Sequence, residues 1–561
     1  MMRLDAYEKL CYYDSYNLKY FIPMYVRKRK NESGSYSVML CVGERLPGKK
    51  NSITKMIKSF GSANDEEHLN RLLLEAESYK KHLETTSKIS KPLRINSDRD
   101  IHSCHSYNIG FSDIYGNVFS NIFKSIKLKE KALNKLKDLV VMRIANPSSK
   151  LKTAALSTEY GFNLKVDTIY KLMDLVTTQV ITETKKIIYE HTKSLLSKEK
   201  QTVDILFYDL TTIYFETNVQ NDLRDFGFSK DGKHQHVQIV LAIIVTKEGL
   251  PIDYEEFPGN TYEGHTLLPV LNKIKERYCI DKAVLVADAA LMNKINLQEL
   301  DKCGIEYIIA ARLKNANKEV KKIVFDLDNY QTISSTTNVE EGINERICTK
   351  TINCDEGDSI IAYHSTKRAR KDAYDREQDL EKIKKHLNST AKSKLTGSLK
   401  KSYVKIHKDC KIEIDLEKLK LEEQYDGFFG LRTNIKNANP SEILTHYRGL
   451  WQVEQTFRIT KSNLEIRPVF HYTPRRIRAH FLICYIALTL IRHVEFTLKI
   501  NNIDLSTDQL LMLLNRMRKI QLVNSDKHLF ELLEDPPKEL IPIYQVLKIK
   551  PHKKFQYIPN L

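Results

Sequence analysis

A chain of 561 residues is too long for one hydrophobic core and has length for roughly three to five structural units. Its 42% hydrophobic and 29% charged residues describe a soluble globular protein and exclude a disordered one. The 89 Lys and Arg against 71 Asp and Glu leave a net charge of +18, which favours a polyanionic partner, nucleic acid first and an anionic membrane second.

In MMRLDAYEKL the acids fall where a secretory signal needs an apolar core, so no signal is expected. Residues 18–60 alternate apolar and polar around Asn31-Glu32-Ser33-Gly34, a hairpin pattern, and a charged helix follows over 64–83. Residues 1–95 are thus expected to form an N-terminal β-hairpin and helix. Residues 96–200 turn helical and basic, with a break at Asn146-Pro147-Ser148-Ser149-Lys150. A helix pair around Gly161 follows, Val166 to Leu196 being its long member. That is the order of a helix-turn-helix module, which would make this a DNA-binding region, and equally of a plain helical bundle. His102-Ser103-Cys104-His105 lacks a second ligand pair at metal-site spacing, and the nine cysteines contain no CxxC pair, as suits reduced thiols in the cytoplasm.

Residues 201–317 alternate strands and helices. Thr202 to Tyr208 reads as a buried strand ending at Asp209, Thr211 to Glu216 as a second and His236 to Thr246 as a third. Gly249-Leu250-Pro251 is a turn, and EFPGN leads into a helix over 263–277. Lys282 to Ala287 is a strand ending at Asp288, followed by a helix over 292–302 and a strand over 306–310. Three strands, helix, strand, helix, strand describe a mixed sheet covered by helices, an α/β fold. Residues 318–437 read as a β-rich insertion carrying one highly charged helix, 369–387. Residues 438–500 resume the core. Asn439-Pro440-Ser441 opens a helix that is expected to run from Ser441 through Lys461, so that Glu454 shares a face with Tyr447, Leu450, Trp451, Arg458 and Lys461. The run Phe481–Ile491 is too short to span a bilayer and reads as buried helix, and 501–561 as a helical tail.

Asp209 and Asp288 are each the first acid after an apolar strand, and strand ends meet at a common edge of an α/β sheet. Each alone also fits a turn or helix cap. Together, with a carboxylate from a helix across that edge, they make an oxygen-ligand site for Mg²⁺ or Mn²⁺. Two such ions can activate a water or 3′-hydroxyl on one side of a phosphodiester and stabilise the leaving oxygen on the other.

YDLTTIYFE (208–216), GFSKDGK (227–233), GLPIDYEEFPGN (249–260), VADAALMN (286–293) and LWQVEQTFRITKSNLEIRPVFH (450–471) resemble bacterial insertion-sequence DDE transposases, in the branch with a β-rich insertion and a Y-(2)-R-(3)-E-(6)-K signature. Tyr447, Glu454 and Lys461 fall in that register. Leu450 stands at the arginine position, as in a Leu-Trp subgroup, leaving Arg448 or Arg458 to supply the charge. The resemblance implies a ribonuclease-H-like core in which Asp209, Asp288 and Glu454 hold two Mg²⁺ or Mn²⁺ ions, with Lys461 and Tyr447 on the adjacent phosphate. It implies a cytoplasmic, nucleoid-associated enzyme that binds double-stranded DNA, both transposon ends and target, as a homodimer and has no membrane partner. Lys230, Lys233, His234 and His236 are then a phosphate contact or a solvated loop, and Lys367, Arg368, Arg370 and Lys371 a DNA-facing or merely solvated run. Trp451, the only tryptophan, is expected in the core in preference to stacking on a base. The rival readings are a nuclease on the same core and a DNA-binding relic without activity.

Overall fold

The computed structural model describes residues 21–44, 53–86, 101–227, 235–278, 283–289, 293–338, 343–354, 357–387, 403–406, 412–524 and 529–558. It divides into two compact units, residues 1–102 with 523–527 and residues 103–522 with 528–561.

In the first unit β1 (Phe21–Lys30), β2 (Tyr36–Glu44) and β3 (Ile53–Ala63) form an antiparallel sheet. The β1–β2 turn is closed by Asn31, whose side-chain amide donates to the hydroxyls of Ser35 and Ser37. Gly34 takes the left-handed conformation there, φ +84°. The helix Glu66–Thr86 lays Leu69, Leu72 and Ala76 on Val38 and Ala63.

The second unit is built on nine strands. After β4 (Ile101–Asn108) come β5 (Ile205–Tyr214), β6 (Gln238–Thr246), β7 (Pro251–Pro258), β8 (Val284–Ala287) and β9 (Glu306–Ala311). Then follow β10 (Gln331–Asn338), β11 (Ile343–Asn353), β12 (Ser359–Ser365), a small pair β13 (Val404–Ile406) and β14 (Ile412–Ile414), and β15 (Phe428–Thr433). The strand order is β10-β11-β12-β15-β9-β8-β5-β6-β7. Only β5–β8 and β8–β9 are parallel among the pairs described. Of the strands of 318–437, β13 and β14 form a separate two-stranded sheet, whereas β10, β11 and β12 join the large sheet through β15, which pairs with β9.

Strand alternation sorts the core into two layers. Leu206, Tyr208, Val240, Ala242, Leu285, Ala287, Tyr307 and Ile309 face the helices Leu267–Tyr278 and Lys294–Lys302. Phe207, Ile213, Leu241, Ile243, Val286 and Ile308 face the opposite layer, which contains the helices Trp451–Arg458 and Pro474–Ile500. The latter helix is long and apolar enough to cross a membrane, but 89% of its apolar window is buried inside the protein, where it serves as a core helix.

Several expected elements differ. The strands expected on either side of Asp209 are one strand, β5, since its antiparallel partner β6 continues to Tyr214. Pro251, expected in a turn, and Glu256 to Pro258, expected to lead into a helix, belong with the residues between them to the strand β7. Its acids Asp253 and Glu255 are buried and bonded to Lys185 and Arg277. The long helix 166–196 is two, Val166–Leu175 and Thr178–Lys198, divided where Thr177 caps the second by accepting from the Val180 amide. The helix expected from Ser441 through Lys461 is also divided. Asn439, not Ser441, caps Pro440–Arg448, and Gly449-Leu450 joins it to Trp451–Arg458.

Candidate active site

Tyr208 pairs with Ala287 in the last parallel rung of β5 and β8, so Asp209, within β5, and Asp288, the residue just after β8, stand at the next position along the two chains. Paired Cα atoms of adjacent strands lie about 4.8 Å apart, and equal register puts both side chains on one face. By alternation it is the face of Phe207 and Val286, the layer that holds the helix of Glu454. Asp209 is half-buried and accepts from the Leu210 amide at 2.7 Å, whereas Asp288 is exposed and accepts from Ala289 at 2.6 Å. The hydroxyl of Thr211, two residues along β5 and hence on the same face, is buried without a hydrogen-bond partner among the described residues.

The glutamate helix is held close to β5 by its join. Four bonds of the three-residue type, from Gly449, Leu450, Gln452 and Val453 to the carbonyls three residues back, tighten the chain there. A Cβ on Gly449 would lie 2.6 Å from the Phe207 ring, so only glycine lets the join rest on that ring. Val453, Thr456 and Phe457 are buried, and Trp451, Glu454 and Arg458 form the opposite, exposed stripe. At its far side Gln452 accepts from Arg492 at 3.0 Å, and Arg492 also donates to the Gly249 carbonyl at 2.9 Å. Lys461 is half-buried in a wide π-type turn, Ile459–Asn463, that re-aims it relative to a continuous helix.

Tyr447 ties the acids together electrostatically. Burial and the carboxylates of Asp288 and Glu454 push its hydroxyl up to about 12, with Arg368 acting against them. Arg368, from the charged helix Thr366–Leu387, lies over the Phe429 ring at 5.1 Å, and Phe429 stacks on Tyr363 at 4.9 Å. The Tyr363 hydroxyl donates to the Pro440 carbonyl at the start of the helix pair. Sequence reasoning named Arg368 only as one of a basic run. The Tyr363–Phe429 stack that brings it beside Tyr447 has no local signature, since two strands supply it.

The other expected residues are distributed unevenly. Leu450 packs partly buried against the core, and Arg448 is exposed. Arg458 is exposed, and its charge acts on Glu495. Lys367 and Arg370 both face Glu345, at 3.5 and 3.4 Å. Lys230, Lys233 and His234 lie outside the described residues, and His236 is half-buried beside Tyr214. Trp451 is 54% exposed, contrary to the core position expected of it, because the join turns it to the Glu454 side of the helix.

The family model described as transposase DDE domain matches residues 201–490, just over half of the chain. The chain belongs to that family. It is a DDE-type transposase, and enzymes of this family generally use divalent metal ions. No curated protein matches it. Among solved structures it is similar to piggyBac transposase in a synaptic complex with hairpin DNA, at 10% identity over 72% of this chain and 78% of that one, with a TM-score of 0.35.

For such an ion the transposase offers the right donor chemistry: carboxylate oxygens at equal register, a third carboxylate on the facing layer and a buried hydroxyl without a partner. Among the described residues no three His, Cys, Asp or Glu side chains converge closely enough to hold a metal ion.

Proposed function

We propose that this transposase binds the terminal inverted repeats of a bacterial insertion sequence, cleaves the ends and transfers the 3′-hydroxyl strands to target DNA. Asp209, Asp288 and Glu454 are its catalytic residues and the ligands of two Mg²⁺ or Mn²⁺ ions, in a ribonuclease-H-like core of the Leu-Trp subgroup. The observation that carries this reading is the equal register of Asp209 and Asp288 on the face covered by the Glu454 helix. When bound, the ions would supply an activated nucleophile and charge stabilisation at the leaving oxygen.

The chain's own residues do the positioning. β5 holds Asp209 within the sheet, and Asp288 follows directly on the end of β8, beside the last parallel rung. The exposed stripe of Trp451, Glu454 and Arg458 faces outward, where DNA reaches it. Tyr447 keeps its proton across the working pH range and can donate to a phosphate oxygen. Lys461, Arg448 and Arg458, with Lys230 and Lys233, supply cations for the DNA backbone. The enzyme acts as a homodimer holding two ends, in the cytoplasm at the nucleoid.

Purified protein, a labelled duplex from the DNA flanking its own gene, Mg²⁺ and an Asp288→Ala control test this. Nicking at the element end and joining to a plasmid, both absent from the control, are expected. Tight binding without any Mg²⁺- or Mn²⁺-dependent cleavage would leave a DNA-binding relic, and cleavage without joining would leave a nuclease.

A further inference from the structure

Away from the acid pair, a cavity of about 200 Å³ is walled by Arg143, Lys150, Arg467, His471 and His480. Four elements converge there. Arg143 comes from the helix Glu130–Ala145, Lys150 opens the next helix, Arg467 and His471 lie in the RPVFH segment, and His480 is on Pro474–Ile500. Arg143 and Lys150 are 5% and 4% exposed. Cations so deeply buried normally carry a carboxylate partner.

These do not. Arg143 donates to the carbonyls of Ser148, at 2.8 Å, and Leu464, at 3.5 Å. The Lys150 ammonium lies 3.2 Å from His480 Nδ1, and His480 Nε2 is 3.0 Å from the Ile466 carbonyl. With Nε2 carrying the proton toward that carbonyl, Nδ1 is left to accept from Lys150. Neither Arg143 nor Lys150 forms an ion pair among the described residues. Of the acids nearby, Asp174 is engaged by both arms of Arg476, at 2.8 and 2.7 Å, and Glu465 at the edge is exposed.

The surplus is felt by every base inside. Burial and then Arg143 hold Lys150 well below the usual lysine range. Burial, with Lys150, Arg143 and Arg476, brings His471 down to about 3. Burial, Lys150, Arg143 and His471 do the same in direction to His480. One anion would oppose the part of each shift that the neighbouring cations cause, though not the larger part caused by burial. The cavity opens past Leu151 and Phe470, which are exposed.

We propose that this cavity is an oxyanion site that takes one phosphate group, held by Arg143, Lys150 and Arg467. The cationic wall and the missing counter-charge of Arg143 and Lys150 suit a tetrahedral oxyanion, and the group comes either from a DNA backbone or from free phosphate. The site is separate from the carboxylates, so it stands even where cleavage is not observed.

The test is thermal unfolding of the full chain in sodium phosphate and in sodium chloride at matched ionic strength, with Lys150→Met beside the wild type. In chloride the variant is at least as stable as the wild type, because an unpaired buried charge is gone. In phosphate the order reverses, and at least tenfold of the phosphate affinity is lost. Arg467→Gln, on the cavity wall, gives the same phosphate readout should Lys150→Met not fold. If a backbone phosphate is the ligand, free phosphate changes neither protein, and the slope of log affinity for duplex DNA against log salt falls by about one in the variant. Equal response of variant and wild type to phosphate, together with an unchanged salt slope, overturns the proposal.

Discussion

Asp209 and Asp288 are placed where two like charges oppose each other, so the proposed metal site has a thermodynamic signature independent of DNA. Each follows directly on the last parallel rung, Tyr208–Ala287, where paired Cα atoms of adjacent strands lie about 4.8 Å apart. Unit charges about 5 Å apart repel by roughly 1 kcal/mol in a water-like medium and roughly 3 at an effective dielectric of 20. Asp288 is exposed and Asp209 half-buried, which favours the lower end, about 1 to 2 kcal/mol. Asp288→Asn keeps the shape and removes one charge. Without divalent ions the variant should therefore unfold at higher urea than the wild type while losing all strand cleavage. Mg²⁺ at ten times its dissociation constant should add about 1.4 kcal/mol to the wild type and nothing to the variant. A variant no more stable than wild type, with Mg²⁺ moving both midpoints alike, would refute the pair as a cation site.

Two further perturbations probe the scaffold. Lys185 is 3% exposed, 3.0 Å from Asp253 and 3.1 Å from Glu255, so Lys185→Met leaves those buried acids to Arg277 and Lys273 and should cost about 3 kcal/mol in urea unfolding. Burial raises the Glu255 carboxyl from 4.5, but Lys185, Lys273 and Arg277 outweigh it and bring it to about 2. A carboxyl held below its unfolded value adds stability that is complete above pH 4.5 and lost between 4.5 and 2, worth about 3 kcal/mol. That acid-side fall should be shallower in Lys185→Met, and an unchanged slope would show that Lys185 does not hold Glu255. Gly449→Ala should cost about 1 to 2 kcal/mol and slow cleavage at least tenfold, since its Cβ meets the Phe207 ring two residues from Asp209. Wild-type kinetics in that variant would show that the helix tolerates the shift.

What the sequence conveyed about this transposase was local, and what it withheld depended on partners far along the chain. The apolar runs before Asp209 and Asp288 are strands, and parallel pairing does stop at both acids. That β5 continues depends on β6, whose register periodicity cannot supply. β7 has no strand signature of its own, because it begins at a proline and carries Asp253, Glu255 and Glu256, residues depleted in strands. Lys185 and Arg277, 68 and 24 residues from Asp253, make those acids tolerable. Proline, a capping residue and a long uninterrupted run announced the glutamate helix, and its division at Gly449 follows from the Phe207 ring beneath it. Trp451 was assigned to the core by its type, yet the register of that division exposes it.

The same division bears on how Glu454 reaches the aspartates. A single straight helix from Ser441 would fix Glu454 relative to Tyr447 at both ends. The observed pair is anchored separately: Tyr363 bonds the first helix at Pro440, and Arg492 bonds the second at Gln452. Between the anchors the chain is held by three-residue bonds, which are weaker and more easily rearranged than α-helical ones. Beyond Glu454 the π-type turn at Ile459–Asn463 interrupts the helix a second time. Glu454 thus lies on a short segment of eight residues with an irregular join at each end, whereas Asp209 lies within β5. On the proposed reading any movement of Glu454 toward the aspartates must come from the two joins, because Val453, Thr456 and Phe457 hold the segment itself on the core.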